Sequence, residues 1–234
     1  MWTMIFRFRR GLLIFCDFDD GTRLPCFRLD LPWPGVQDKL NDAPFHEMSD
    51  TRRLDPVIET PRLLLRVPSL AEFEPWSAFM ADEEAARFIG HAQSPALVWR
   101  GIATMAGSWT IAGYGMFSVF EKTTGRWVGR VGPWRPHGWP GAEVGWGVIR
   151  EVWGTGYAFE AAVASMDFAV DVLGWTDIIH SIHPDNVRSQ RLAQRLGSTN
   201  RGPGRLPPPY EHDPVDLWGQ TAADWKSNRR AFRR

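Results

Sequence analysis

From Glu151 to Ala161 the chain reads EVWGTGYAFEA, two closely spaced glycines followed at once by an amphipathic run. A turn holding Gly154 and Gly156 that leads straight into a helix aims several free backbone N–H groups at one point, backed by the positive end of the helix dipole. That point suits a pyrophosphate, and glycine lets an oxyanion approach the backbone closely. Two familiar phosphate loops fit poorly. A dinucleotide fingerprint needs a third glycine where this chain has Phe159, and a Walker loop needs a Gly-Lys-Ser/Thr run that does not follow. An ordinary tight turn before a helix is the plain alternative.

A second constellation holds Asn186, Ser189, Leu192, Ala193, Leu196 and Gly197. At helical spacing Ser189 shares a face with Leu192, Ala193 and Leu196, so its hydroxyl points toward a sheet rather than water. Asn186 lies one turn earlier, on the same side or as the helix cap; a cap and a packed hydroxyl are the plain readings. A third candidate is Glu143. Along a strand it alternates onto the face of Gly145 and Gly147, opposite Val144, Trp146 and Val148, which gives one apolar side and one side bare of side chains. A ligand could lie on the bare side beside a carboxylate, although a solvated surface glutamate reads equally well.

These residues need elements to hold them. Arg62 to Val67 reads as a buried strand, and Ser69 with Glu72 is a capping-box signature for a helix with Leu70, Phe73 and Trp76 inward. Asp82 caps a short helix ending near Gly90, and Ser94-Pro95 starts a third with Val98, Ile102, Met105, Ala106 and Trp109 inward. Strands follow at 116–121, 127–131 and 142–149, with the Trp/Pro-rich loop 133–140 before the last. A helix from the glycine turn to Gly174, a strand at 178–182, a helix at 187–196 and a strand at 216–219 complete a mixed α/β sheet.

Lys plus Arg equals Asp plus Glu, 27 each, so no overall field steers the chain to nucleic acid or an anionic membrane. An anionic ligand must be held by local geometry. Both cysteines, Cys16 and Cys26, precede the main body, which excludes a cysteine nucleophile or cysteine-ligated zinc there and suits a reducing cytoplasm. His180 and His183 fall on opposite strand faces, a poor metal pair, and no metal is expected. The apolar run Leu12–Cys16 is too short for a signal core or membrane span. Residues 1–56 read as an extension, poorly ordered or a mis-assigned start, with at most an edge strand near Phe6–Arg10. Residues 57–225 form the domain and 226–234 a frayed basic tail. Arg188, Arg191 and Arg195 read as a solvated helix face.

Together, EVGWGVIREVWGTGYAFEA (143–161), HPDNVRSQRLAQRLG (183–197) and ETPRLLLR (59–66) resemble the GNAT superfamily of N-acetyltransferases, more narrowly the branch that includes the acetyltransferases of ribosomal-protein N-termini. The resemblance implies an α+β fold with a mixed, mainly antiparallel sheet of six to seven strands flanked by helices. It implies acetyl-CoA as cosubstrate, its pyrophosphate on the backbone of Val152, Trp153, Gly154, Thr155, Gly156 and Tyr157. Pantetheine would pair like a strand near Val148 and Ile149, with Asn186 and Ser189 beside pantetheine and the thioester. Three features depart from the family. Glu151 stands where a Gln or Arg is usual and is expected to face solvent, Ser198 replaces an aromatic, and the Pro-rich segment 202–214 occupies the place of the last hairpin.

An amine must be neutral to attack a thioester. At pH 7 deprotonation costs an α-amine about 1 kcal/mol and a lysine-like amine nearly ~5 kcal/mol. Glu143 is the candidate base, a backbone N–H near Val148 the candidate oxyanion donor, and Ser189 the candidate proton donor to the thiolate. The acceptor is a primary amine, of a small molecule or a protein N-terminus, in a monomer or homodimer without membrane or nucleic-acid partners. Two rivals remain open: a non-catalytic acyl-CoA-binding module and a nucleotide-binding domain.

Overall fold

A computed structural model describes residues 3–8, 11–17, 23–27 and 56–232. The chain divides into two compact units, Met1–Arg52 and Arg53–Arg234. In the first, β1 (Thr3–Phe8), β2 (Gly11–Asp17) and β3 (Arg23–Phe27) form an antiparallel sheet with β2 central. The sequence promised one edge strand here. The middle strand is the apolar run Leu12–Cys16, which lacks the alternation that marks a half-buried strand and so gives a weak signal.

The second unit begins with β4 (Ile58–Glu59) and β5 (Leu63–Arg66). The Ser69–Glu72 capping box opens a short 3-10 turn, Leu70–Glu72, that runs into α1 (Phe73–Ala81). Because that first turn is wound more tightly than an α-helix, Leu70 points outward and is 58% exposed, against the stripe expected for it. Asp82 accepts from the Glu84 and Ala85 N–H groups at the start of α2 (Glu83–Ala86), and Pro95 opens α3 (Pro95–Ala112). Then come β6 (Phe117–Glu121), β7 (Trp127–Trp134), β8 (Glu143–Val148), α4 (Tyr157–Asp167), β9 (Asp177–Ile182), α5 (Val187–Arg195), β10 (Thr199–Gly204), β11 (Val215–Thr221) and α6 (Ala222–Asn228).

These strands make one eight-stranded sheet in the order β10-β11-β9-β8-β7-β6-β5-β4. Every pair is antiparallel except β8–β9. The count exceeds the expected six to seven because β4 is two residues long and β10 is TNRGPG, a run without apolar alternation. Pairing with β11 makes β10 a strand, and its Pro203 is tolerated because β10 is an edge.

Leu65, Phe117, Val131 and Val144 pack on one sheet face with Ala161, Ala162 and Met166 of α4 and Trp225 of α6. On the other face Trp76, Phe79 and Met80 of α1 and Val98 and Ile102 of α3 close over Trp127. The C-terminal segment read as a frayed tail is packed instead. Arg229 bonds Asp167 at 2.7 Å and also pairs with Asp171, and the Phe232 ring sits 5.2 Å from Phe159. Ion pairs and an aromatic anchor hold what charge content alone suggested was loose. Among the described residues no helix is long and apolar enough to cross a membrane.

Candidate active site

β8 and β9 part company. β8 pairs with β7 from Trp134↔Glu143 to Gly129↔Val148, yet meets β9 only at Glu143↔Ile179. Beyond that point its free edge faces a gap. His180 Nδ1 lies 2.7 Å from the Val144 carbonyl oxygen, which fixes the alternation: main-chain groups of Val144, Trp146 and Val148 turn toward the gap. The Val148 carbonyl accepts from Trp153 Nε1 at 3.0 Å, so the Trp146 peptide groups and the Val148 N–H remain as an open strand edge. Ile149 does not share it. Its N–H donates to the Val128 carbonyl at 3.0 Å, because odd-numbered residues of this strand face β7.

The glycine turn follows. Gly154 and Gly156 both take left-handed backbone angles, φ +78° and +87°, which only glycine adopts without strain. Turn hydrogen bonds already use the N–H groups of Val152, Trp153 and Thr155, three of the six expected to hold pyrophosphate. The free donors are those of Gly154, Gly156 and the first turn of α4, where no side chain caps the helix. A Cβ built on Gly154 would meet nothing within 4 Å, so the space above these donors is open. Glu151 is exposed, facing away as expected.

Over the turn lies a groove of about 640 Å³, lined by Trp146, Val148, Gly154, Gly156, Asn186 and Ser189. Arg188, Arg191 and Arg195 are exposed, but they also line this groove rather than standing clear of it. The Arg188 guanidinium sits 4.1 Å over the Trp153 ring and that of Arg195 4.1 Å over Phe159. Stacking on aromatic faces holds both cations at the rim beside the open N–H groups.

Asn186 caps α5, its Oδ1 accepting from the Ser189 N–H at 3.1 Å. Ser189 turns its hydroxyl to the sheet, where Oγ accepts from Trp146 Nε1 at 3.1 Å. Trp146 also packs against His180, which is 1% exposed and bonded to the Val144 carbonyl and Ser198 Oγ. Burial depresses the His180 pKa to about 4, so the ring is neutral at pH 7. Ser198, the departure from the family's aromatic, thus completes a buried polar chain that continues to Gln220.

A second cavity, of about 690 Å³, opens on the other side of Trp146. Glu143 lies in it and is only 7% exposed. Its Oε2 accepts from Trp139 Nε1 at 2.5 Å and Ser181 Oγ at 2.8 Å. Burial raises its pKa; these two donors and the charge of Arg130 offset part of the rise. Trp134, Trp139 and Tyr210 wall the cavity. Both cavities share Trp146, Asn186, Ser189, Phe88 and Ile89. Sequence reasoning missed Arg130, Ser181 and Tyr210, which come from three separate segments and carry no motif. Among the described residues no group of three or more His, Cys, Asp or Glu side chains is placed to hold a metal ion.

Comparison with known proteins identifies the family of the fold. Residues 62–199 match the family model of the acetyltransferase (GNAT) domain. The chain belongs to the GNAT acetyltransferase family. It is similar to an acetyltransferase structure from Agrobacterium tumefaciens, with 27% identity and a TM-score of 0.62 over 70% of this chain and 94% of that one. A Vibrio cholerae structure assigned as a ribosomal-protein-serine acetyltransferase matches at 25% identity and TM-score 0.61, covering 71% of this chain and 98% of that one. RimL, a ribosomal L7/L12 alpha-N-protein acetyltransferase, shares the fold at 14% identity and TM-score 0.59, over 71% and 94% of the two chains. Bacillus subtilis YkkB is 33% identical over 89 residues, 36% of this chain; the chain spans about half (52%) of that curated relative.

Proposed function

We propose that this protein transfers the acetyl group of acetyl-CoA directly to a primary amine within a ternary complex. The observation that carries this reading is the meeting of two cavities at Trp146 and Ser189. One is rimmed by arginines and open N–H groups; the other holds a buried carboxylate. The pyrophosphate would lie on the N–H groups of Gly154, Gly156 and the first turn of α4, and pantetheine along the free edge from Trp146 to Val148. Acetyl-CoA supplies the activated thioester carbonyl. Glu143 takes the proton the amine must lose, and its raised pKa makes it a stronger base than an exposed glutamate. The Val148 N–H is the donor for charge developing on the carbonyl oxygen. Ser189 already accepts from Trp146, which leaves its own proton to donate to the departing sulfur. Residues 57–225 hold no cysteine to carry an acyl group, which favours direct transfer.

A non-catalytic acyl-CoA-binding module would need the groove but not a buried carboxylate in a second cavity. The test is acetyl transfer to a panel of α-amines and alkylamines, read by mass spectrometry, beside calorimetry with CoA, ATP and NAD. Turnover with at least one amine and preference for CoA are expected. Tight CoA binding with no amine acetylated would support the module, and preference for ATP or NAD would support a nucleotide-binding domain.

A further inference from the structure

One face of β7 and β8 meets the second cavity at Arg130, Trp134, Glu143 and Gly145. Register sets Arg130 opposite Gly147 and Ser118, Gly132 opposite Gly145, and Trp134 opposite Glu143. Arg130, Glu143 and Gly145 line the cavity from this face, and the ends of the Met116 and Glu143 side chains lie over Gly145. This face carries one cation and one anion that interact through space without touching. Among the described residues no carboxylate oxygen lies within the 4.0 Å ion-pair distance of Arg130. Its one side-chain hydrogen bond runs from Nη1 to the Met116 thioether at 2.8 Å, a weak acceptor.

More exposed arginines are better served. Arg62, Arg66, Arg150, Arg201 and Arg229 each hold a carboxylate. Removing a guanidinium from water without an anion is costly, and burial pushes the Arg130 pKa down accordingly. Glu143 acts on Arg130 only through space, so among the described residues the guanidinium has no carboxylate in contact, and that contact is left to something that enters. Tyr210, whose side chain is near enough to Arg130 to interact electrostatically, adds a phenol to the same wall.

We propose that Arg130 binds a carboxylate of the acceptor, so that the amine acetylated here is a small amino carboxylate with an apolar body. The inference rests on the acetyl-transfer reading above and specifies its acceptor. One cation beside a buried carboxylate matches a singly charged anion; a phosphate dianion would meet Glu143 with too little compensation. The ammonium end finds Glu143 and the carboxylate end Arg130, while Trp134, Trp139 and Tyr210 take the apolar body. The volume of about 690 Å³ is in the small-molecule range. The loops at 134–139 and 206–214 touch over the cavity: a Cβ on Gly138 would lie 3.4 Å from Pro207, and the Trp139 and Tyr210 rings meet edge-on at 6.4 Å. That roof favours a free small molecule over a polypeptide end.

The experiment compares phenylalanine and 4-(aminomethyl)benzoate with their carboxamides, and with an N-terminal alanine peptide, as acceptors. Wild type and Arg130→Gln and Arg130→Lys variants are used, each checked for an unchanged melting temperature. For wild type, kcat/KM for at least one acid should exceed that of its amide by about tenfold or more, the size of one charged hydrogen-bonded contact. The acid-to-amide ratio should fall to about one in Arg130→Gln and recover in part in Arg130→Lys. Equal turnover of acids and amides by wild type, an unchanged ratio in Arg130→Gln, or preference for the peptide would each overturn the proposal while leaving acetyl transfer intact. Calorimetry of acid and amide binding reads the Arg130 site without turnover. Acid-selective binding that Arg130→Gln abolishes, with no amine acetylated, would support the anion site and sink the acetyl-transfer reading instead.

Discussion

The groove over the glycine turn and the cavity over the β7–β8 floor share Trp146, Asn186 and Ser189 but are built from different materials. The groove's donors are backbone N–H groups at Gly154, Gly156 and the start of α4, with exposed arginines at the rim. The cavity's polar groups are side chains taken out of water, Glu143 and Arg130, among aromatic walls. Backbone donors come from one contiguous stretch and ask only for glycine and a helix start. Buried charges come from different strands and depend on everything packed around them. The first arrangement can serve any ligand with a pyrophosphate; the second selects. Under the proposed function, the common cosubstrate belongs to the groove and acceptor choice to the cavity.

Gly156→Val attacks the groove and should have the largest effect. With φ at +87°, a β-branched residue strains the turn by roughly 1–2 kcal/mol, and its Cβ would meet Arg62 Nη2 at 3.3 Å, so the turn must move and its free N–H groups lose their common aim. Calorimetry should show acetyl-CoA affinity down about a hundredfold or more, given the loss of several charge-assisted hydrogen bonds. Affinity within a factor of about two of wild type, the span of a weak contact, would mean that phosphate lies elsewhere and the contrast fails.

Glu143→Gln attacks the cavity. The rate near pH 7 should fall about a hundredfold for an alkylamine and about tenfold for an α-amine, and the loss should shrink at high pH where the amine deprotonates unaided. In wild type the base is active when ionised, so the acid limb of the pH–rate profile should lie above the ordinary glutamate value of 4.5. The stability sign is opposite to that of a paired carboxylate. Because the folded-state pKa is raised, folded protein holds this proton more tightly than unfolded chain, and stability drops as pH rises from about 4.5 through the raised value. Gln avoids that loss and can still accept from Trp139 and Ser181. The variant's melting temperature at pH 7 should therefore equal or exceed wild type. PH–rate profiles that overlay wild type would move the base elsewhere, to a water held by backbone carbonyls.

Ser189→Ala tests the junction the two cavities share. Losing one hydrogen bond to sulfur predicts about a tenfold fall in kcat, near ~1.4 kcal/mol, with acetyl-CoA affinity little changed. A fall of about a hundredfold or more would make Ser189 a general acid. The smallest effect is expected from removing the first unit. A chain starting at Met48 should unfold cooperatively at the wild-type temperature and keep its activity, because the unit Arg53–Arg234 holds its own core and both cavities. Loss of cooperative unfolding would tie the first unit to that core.

The sequence alone determined the local parts. The capping box at Ser69–Glu72, the Asp82 cap, the glycine turn into α4, the Asn186 cap and the inward Ser189 hydroxyl each depend on neighbours within a few residues, so spacing suffices to read them. The same locality explains why the family motif was legible. Tertiary structure decided what distant segments do to one another. It turned Ile149 to β7. It made a strand of TNRGPG through pairing with β11, and folded the basic C-terminal segment back onto Asp167 and Asp171. It also brought Glu143 and Arg130 into one cavity without ion-pair contact between them. Strand pairing and desolvation depend on partners that are far apart along the chain, and no spacing rule carries them.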